Sequence, residues 1–437
     1  MSLPAAEAHL PARQVDRLAD WGLVVAGALV LPLGAMVLST ALTLVLGGTV
    51  SGWHFGVFLA VLPASFAWAC RRYYPGLAVR SWVLAGGVFV AVVIACFVLA
   101  RITYDLFPDA QTDHHEAFLH LANGWNPVHD PLFRRAPEVT PPDYVLADVP
   151  FNDYLLWLAP NGFYMAGAAI LEFLGHIEYA KAVNTLLILA SLGAAWAAAL
   201  HVGLGRRTAG MLALVAACGP VALEQSVSAY SDGQNYSYMV IVLALTILLA
   251  RGRRDDSFVL LLWATALILL FNVKLTGLFF GGLLGLAGAL YVGWREKSQR
   301  MFWVFAGASA VGILIVGASP YVLNAPQYLM AIFPEPMRVH LGEPDRIPDF
   351  TVWAGREGFV ESYNRFEKFL ISFFSVTSIS PNSIELKWPF AVRMSEVETY
   401  FRLFVGARMA GGGPLMSGAA ILAVLVFVAA AFRRDRR

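Results

Sequence analysis

The stretch Val83–Ala100, VLAGGVFVAVVIACFVLA, decides the fold. It carries no charge and, as a helix, is long enough to cross about 30 Å of hydrocarbon. About eight residues after it ends comes DAQTDHHEAFLHLANGWNP, Asp109–Pro127, a segment rich in acids and histidines. Chemistry is thereby set beside a membrane. At about 100° per residue, a helix through this segment brings Asp109, Asp113, Glu116 and His120 within roughly 60° of one another, while Ala117, Phe118, Leu121 and Ala122 spread over the rest. Such a helix lies in the membrane interface. It should stop at GWNP, Gly124–Pro127, where glycine follows the last apolar position and proline cannot continue.

The rest of the chain extends the pattern. Over 437 residues it is 58% hydrophobic and 14% charged, with mean hydropathy +0.63, a balance found in all-α polytopic membrane proteins. About ten membrane-crossing helices are expected, near 21–46, 55–70, 83–100, 182–202, 210–225, 236–250, 258–271, 275–292, 302–319 and 415–432. The half-apolar stretch Phe163–Leu174 is read as a second interfacial helix. The first apolar run is read as a retained helix, because it is too long for a secretory signal and no small-residue cleavage site follows it.

Basic residues in short connections set the orientation. Arg13 and Arg17, Arg71, Arg72 and Arg80, Arg206 and Arg207, Arg251, Arg253 and Arg254, and Arg295, Lys297 and Arg300 fall on one side, together with the C-terminal arginines. That side is the expected cytoplasmic one and carries both termini. The chain then divides into N-terminal helices (1–100), a first extracytoplasmic loop (101–181), a helical core (182–319), a second extracytoplasmic loop (320–413) and a last helix with a basic tail (414–437). The net charge of +1 comes from residues spread by topology and not gathered in a patch, so nucleic acid is not a partner. Cys70, Cys96 and Cys218 sit in or beside apolar runs and suggest neither a disulfide framework nor a zinc site.

Further polar motifs fall on the outer side: SAYSDGQNYSY (228–238), FNVKLTG (271–277) and SPYVLNAPQY (319–328). Lys274, between two apolar runs, is costly at a membrane boundary unless it snorkels, pairs or meets an anion, and Asp232 is a partner within reach of that logic. Asp109 and Asp113, one turn apart, raise one another's proton affinity, which suits a general base near neutral pH. His114 and His115 with these aspartates could also hold a divalent metal, but adjacent histidines diverge by about 100° and match no standard spacing. No metal site is assigned, and no Walker loop, GxGxxG, HExxH or GxSxG signals another cofactor or nucleotide.

The arrangement of an apolar helix, an outer aspartate, an amphipathic helix ending in Gly-Trp and Pro, an interfacial helix and a span ending in Gly205-Arg206-Arg207 resembles the GT-C membrane glycosyltransferases. The nearest likeness is to bacterial dolichyl-phosphate-mannose-protein mannosyltransferase and aminoarabinose transferase types. IEYAKAVN (177–184), SDGQNYSY (231–238), FNVKLTG and RFEKFLISFFSVTS (365–378) look like segments of such proteins. Relatives often place a second acid directly after the first-loop aspartate, where this chain has Ala110, so the base position is either Asp109 or Asp113.

The resemblance implies a bacterial inner-membrane enzyme that moves a sugar from a polyprenyl-phosphate donor to a glycan, lipid or protein acceptor. Asp109 or Asp113 would act as base and Lys274 or Arg101 would meet the phosphate, with His114, Asp232, Gln234 and Asn272 lining the substrate site. The rival classes are a lipid or glycan transporter or flippase, which calls for broken helices and mid-span charges, and a membrane-bound acyltransferase or glycan polymerase. An acyltransferase would want a histidine in a membrane-facing pocket, at which His201 hints.

Overall fold

The computed structural model describes residues 12–105, 110, 114–129, 162–253, 256–323, 364, 366–367 and 421–425. Among them the only regular structure is helical. The chain divides into two compact units, Met1–Cys218 with Ala222–Phe333, and Gly219–Val221 with Pro334–Arg437.

The first unit is built around α1 (Ala12–Val45), against which α2 (Trp53–Tyr73) and α6 (Ala182–His201) pack. α3 (Val79–Ile102), α4 (His115–Ala122) and α5 (Gly162–Leu174) precede α6, and a short 3-10 turn, Ile177–Lys181, leads into it. After α6 come α7 (Arg206–Ala217), α8 (Pro220–Glu224), α9 (Asp232–Leu248), α10 (Ser257–Phe271), α11 (Leu275–Glu296) and α12 (Arg300–Val311), which runs on into π-helical turns to Leu323.

Among the described residues, six helices are long and apolar enough to cross a membrane: Ala19–Val45, Trp53–Tyr73, Val79–Ile102, Ile177–His201, Asp232–Arg253 and Leu275–Arg295. The run expected to cross at 210–225 is instead a pair of helices bent by 64°, and counting it as one span gives seven. The break falls at Gly219-Pro220, where proline lacks the N–H a continuous helix needs and disfavours helical backbone in the residue before it. α5, α10 and the stretch Arg300–Val316 are shorter apolar helices. At 1.5 Å per residue, α5 extends about 20 Å, too short to cross, and most of it is buried against α1, α2 and α4.

Small residues bring the central helices together. An added Cβ on Gly22 would lie 2.3 Å from the Gly193 carbonyl oxygen, and one on Gly193 would lie 2.6 Å from that of Gly22. The α1 and α6 backbones are therefore in direct contact, with Ala190, Ala194 and Ala197 fully buried on α6. Hydrocarbon gives no net drive to hide leucine from lipid, so close backbone approach through small residues is how such helices gain contact energy. α10 is apolar all round and correspondingly buried, as expected of a helix with no polar face. α3 is the opposite case: only Val93, Cys96 and Ala100 are buried, Trp82, Ala85, Phe89 and Phe97 pack partly buried against the core, and most of its other apolar side chains face outward.

Polar contacts gather at the two ends of this bundle. At one end Arg253 meets Asp20 at 2.5 Å and Asp256 at 3.5 Å, and the Tyr73 hydroxyl donates to Asp256 at 2.9 Å. Arg253 Nε also donates to His201 at 3.3 Å. This network ties together the ends of α1, α2, α6 and α10 and the turn after α9. The other end holds the candidate site.

In the second unit, Asn364 Oδ1 accepts from the backbone N–H groups of Phe366 and Glu367, and the Glu367 carboxylate accepts from Asn364 N. This reciprocal cap opens a helical turn at Phe366 and Glu367. The rest of the second long loop and most of the last apolar run lie outside the described residues.

Candidate functional site

α4 begins at His115, and its apolar side chains Ala117, Phe118 and Leu121 are buried. It stops as GWNP requires: Gly124 takes φ +90°, and Trp125 N donates back to His120 O at 2.9 Å. That is the left-handed glycine stop with its long reverse hydrogen bond. The next residue has a role the sequence reading missed. Asn126 Nδ2 donates to Leu44 O and Gly48 O, each at 2.8 Å, so the amide closes the carbonyl end of α1. Trp125 is buried and not set out as an interfacial anchor.

α3 ends at Ile102, and the chain turns inward at Asp105, which is buried. Its Oδ2 accepts from Ala229 N at 2.5 Å, in the SAYSDG loop before α9, and its own N–H reaches Glu178 Oε1 at 3.4 Å. Glu178 and Lys181 belong to the IEYAKAVN turn. The Lys181 ammonium lies 2.5 Å from Glu178 Oε2, with the two side chains 0% and 6% exposed. It also donates to the Thr103 carbonyl. Two carboxylates and one ammonium are thus held out of water, each on backbone or on another charge, as buried ions must be.

His115 completes the group. Burial pushes its imidazole below the ordinary histidine value and Lys181 pushes the same way, while Asp105 and Glu178 oppose them. Its buried Nε2 has no hydrogen-bond partner. The same loop is tied to α6 by Asn184, whose Nδ2 donates to the carbonyls of Gln225, Ser228 and Tyr230 at 2.7–3.0 Å.

The residues expected to form the site fall as follows. Asp109 and Asp113 lie outside the described residues. His114 Nδ1 is 3.1 Å from the Tyr164 hydroxyl, and its ring stands among those of Phe163, Tyr164 and Tyr230. Lys274 and Asp232 are brought together, Nζ to Oδ1 at 2.6 Å, both partly exposed. Arg101 occupies the last turn of α3, half-buried. Gln234 is buried with its Nε2 unpartnered, lining a small cleft among α1, α5, α6, α9 and α10. Asn272 closes α10: its Nδ2 donates to Ile268 O and Gly312 O at 2.8 and 2.9 Å, which leaves Oδ1 buried and unpartnered. Gln234 and Asn272 therefore sit inside the bundle, beneath the Lys274–Asp232 pair.

Asp105, Glu178 and Lys181 were not singled out from sequence, and His115 only as a companion of His114 in a candidate metal site. The available signal was an aspartate three residues past the end of a span, and an acid and a base three residues apart at the mouth of the next one. Among the described residues no group of three or more His, Cys, Asp or Glu side chains is arranged to hold a metal ion.

Six apolar spans, a polar network at each end and an amphipathic helix tucked under one of them define a multi-pass helical membrane protein. Comparison with protein-family models, curated proteins and solved structures returns no match.

Proposed function

We propose that this protein is a membrane glycosyltransferase of the GT-C type, moving a sugar from a polyprenyl-phosphate donor to a glycan, lipid or protein acceptor. The observation that best supports this reading is the gathering of Asp105, Glu178, Lys181 and His115, next to the helix ends that carry Lys274, at a single boundary of an apolar bundle. A lipid phosphate sits at that depth, and a transferase acting on one needs cations for the phosphate and a carboxylate for the acceptor.

In this reading the acceptor hydroxyl oxygen attacks the anomeric carbon as the bond from that carbon to the phosphate oxygen breaks. The lipid phosphate leaves with the electron pair, and the hydroxyl proton passes to Asp109 or Asp113. Lys274 releases Asp232 to meet the departing phosphate, with Arg101 as a second cation. Asp105, engaged on the Ala229 backbone, is a positioning residue that fixes the first loop against α9. α7 with α8, α10, α12 and the last apolar run also cross the membrane, which makes about ten spans. The site then faces outward from a bacterial inner membrane, with both termini inside.

Two observations favour a transporter instead. The helix broken at Gly219-Pro220 and the buried Glu178–Lys181 pair are features of substrate pathways. The full chain in vesicles with a labelled polyprenyl-phosphate sugar separates the two readings. A transferase moves label to an acceptor and loses about 10² to 10⁴ of its rate in Asp109→Asn, with Asp113→Asn milder; the reverse order makes Asp113 the base. Movement of intact donor across the bilayer without transfer removes the proposal, and full transfer in both variants removes Asp109 and Asp113 as the base. A deletion strain should accumulate one lipid-linked sugar species by mass spectrometry.

A further inference from the structure

α11 carries an exposed apolar stripe, Phe279, Leu283, Leu286, Leu290 and Trp294, spaced by three and four residues so that all five share one face. The stripe starts near the Lys274–Asp232 pair and runs the length of the helix. Twenty-two residues at 1.5 Å give about 33 Å, the thickness of a bilayer core, so its far end reaches the opposite boundary.

There the chain reverses within three residues, through Lys297 in the left-handed conformation, into α12. This turn, WREKSQR, holds three cations and one acid, and Arg295, Lys297 and Arg300 are exposed. Trp294 and Trp303 flank it, 80% and 65% exposed. Arg71, Arg72, Arg80, Arg206, Arg207 and Arg251 are also exposed on helix ends or turns of this boundary, whereas Asp20 and Asp256 are buried and paired with Arg253.

We infer that this face binds an anionic phospholipid, its acyl chain along the α11 stripe and its phosphate at Arg295, Lys297 and Arg300. Every part of the lipid has a counterpart. The apolar stripe matches the chain, the tryptophans sit at headgroup depth where amphipathic rings are favoured, and the cations match the charge. The selectivity is for headgroup charge, because the stripe alone would accept any acyl chain. This inference is independent of the transferase reading, since the turn lies at the boundary opposite Lys274.

The test is native mass spectrometry of the detergent-purified full chain titrated with phosphatidylglycerol or phosphatidylcholine. Wild type should retain phosphatidylglycerol in preference to phosphatidylcholine. Each basic residue at a charged surface changes binding by about fivefold, so the triple variant Arg295→Gln, Lys297→Gln, Arg300→Gln should weaken phosphatidylglycerol binding on the order of 10². Phosphatidylcholine binding should not change. The charge-preserving pair Arg295→Lys, Arg300→Lys should keep wild-type affinity, and a wild-type melting temperature in phosphatidylcholine nanodiscs excludes misfolding of the triple variant. Equal retention of the two lipids by wild type overturns the inference. So does unchanged binding by the triple variant, or a dimer cross-linked through cysteines placed on the α11 stripe.

Discussion

Lys181→Met removes a cation from a site that water does not reach. The ammonium sits 2.5 Å from Glu178 Oε2. At an effective dielectric near 20 that attraction is about 7 kcal/mol before desolvation is subtracted. What remains when one partner of a buried pair is deleted is typically about 3–5 kcal/mol, because the other charge stays behind unpaired. Here the remaining charge is a carboxylate beside Asp105, so like-charge repulsion adds to the loss. The melting temperature of the purified protein in detergent, followed by thiol-reactive dye or light scattering, should fall by about 3–5 °C. Changing both partners, as Lys181→Met with Glu178→Gln, removes the stranded charge and should recover most of the fall. If the single change leaves the melting temperature within about 1 °C of wild type, and the double change does no better, the pair is not the buried lock described.

Acidification acts through His115. Its pKa is lowered in the folded state, so the unfolded chain binds more protons once pH falls below the ordinary value of 6.5. Stability should therefore hold above that pH and decline below it until the lowered folded value is passed, with a slope of at most about 1.4 kcal/mol per pH unit; His115→Gln should flatten that slope. Asn126→Ala removes the side-chain donor from Gly48 O and from Leu44 O, which keeps only its bond from Gly47 N, and should cost about 1–3 kcal/mol, read as a lower melting temperature without change in helix content. Gly193→Ala drives a methyl into the Gly22 carbonyl and should cost about 1–3 kcal/mol, whereas Gly210→Ala, which meets nothing within 4 Å, should be tolerated in the same assay.

Hydropathy located the helices because a membrane helix must be apolar along its whole length, and runs as uniform as Val83–Ala100 leave little room for error. Where length was marginal the reading was less secure. Periodicity and hydrophobicity continue across Gly219-Pro220, but the backbone hydrogen bonds do not. α5 is a short apolar helix, and its burial depends on α1 and α2 forming a floor beneath it, which no local pattern announces. Within the site, Lys274 could be paired with Asp232 from sequence, because both stand at span boundaries and a cation there needs a partner. Asp105, Glu178, Lys181 and His115 come from three separate segments and meet only through tertiary packing. Asn126 was hidden by its own motif: GWNP predicts where α4 stops, but not that the asparagine reaches back to α1.

α3 holds the bundle by one edge of its final turns, through Val93, Cys96 and Ala100, before delivering Asp105 into the site. Its first half touches the core through the partly buried Trp82, Ala85 and Phe89 and turns the rest of its surface to lipid, which distinguishes poorly among valine, leucine, isoleucine and phenylalanine. Sequence freedom along this helix should therefore be graded, wide from Val83 to Val92 except at Ala85 and Phe89, and narrow from Val93 to Asp105. Through one continuous rod, the chain joins a region that can drift over evolutionary time to one that cannot.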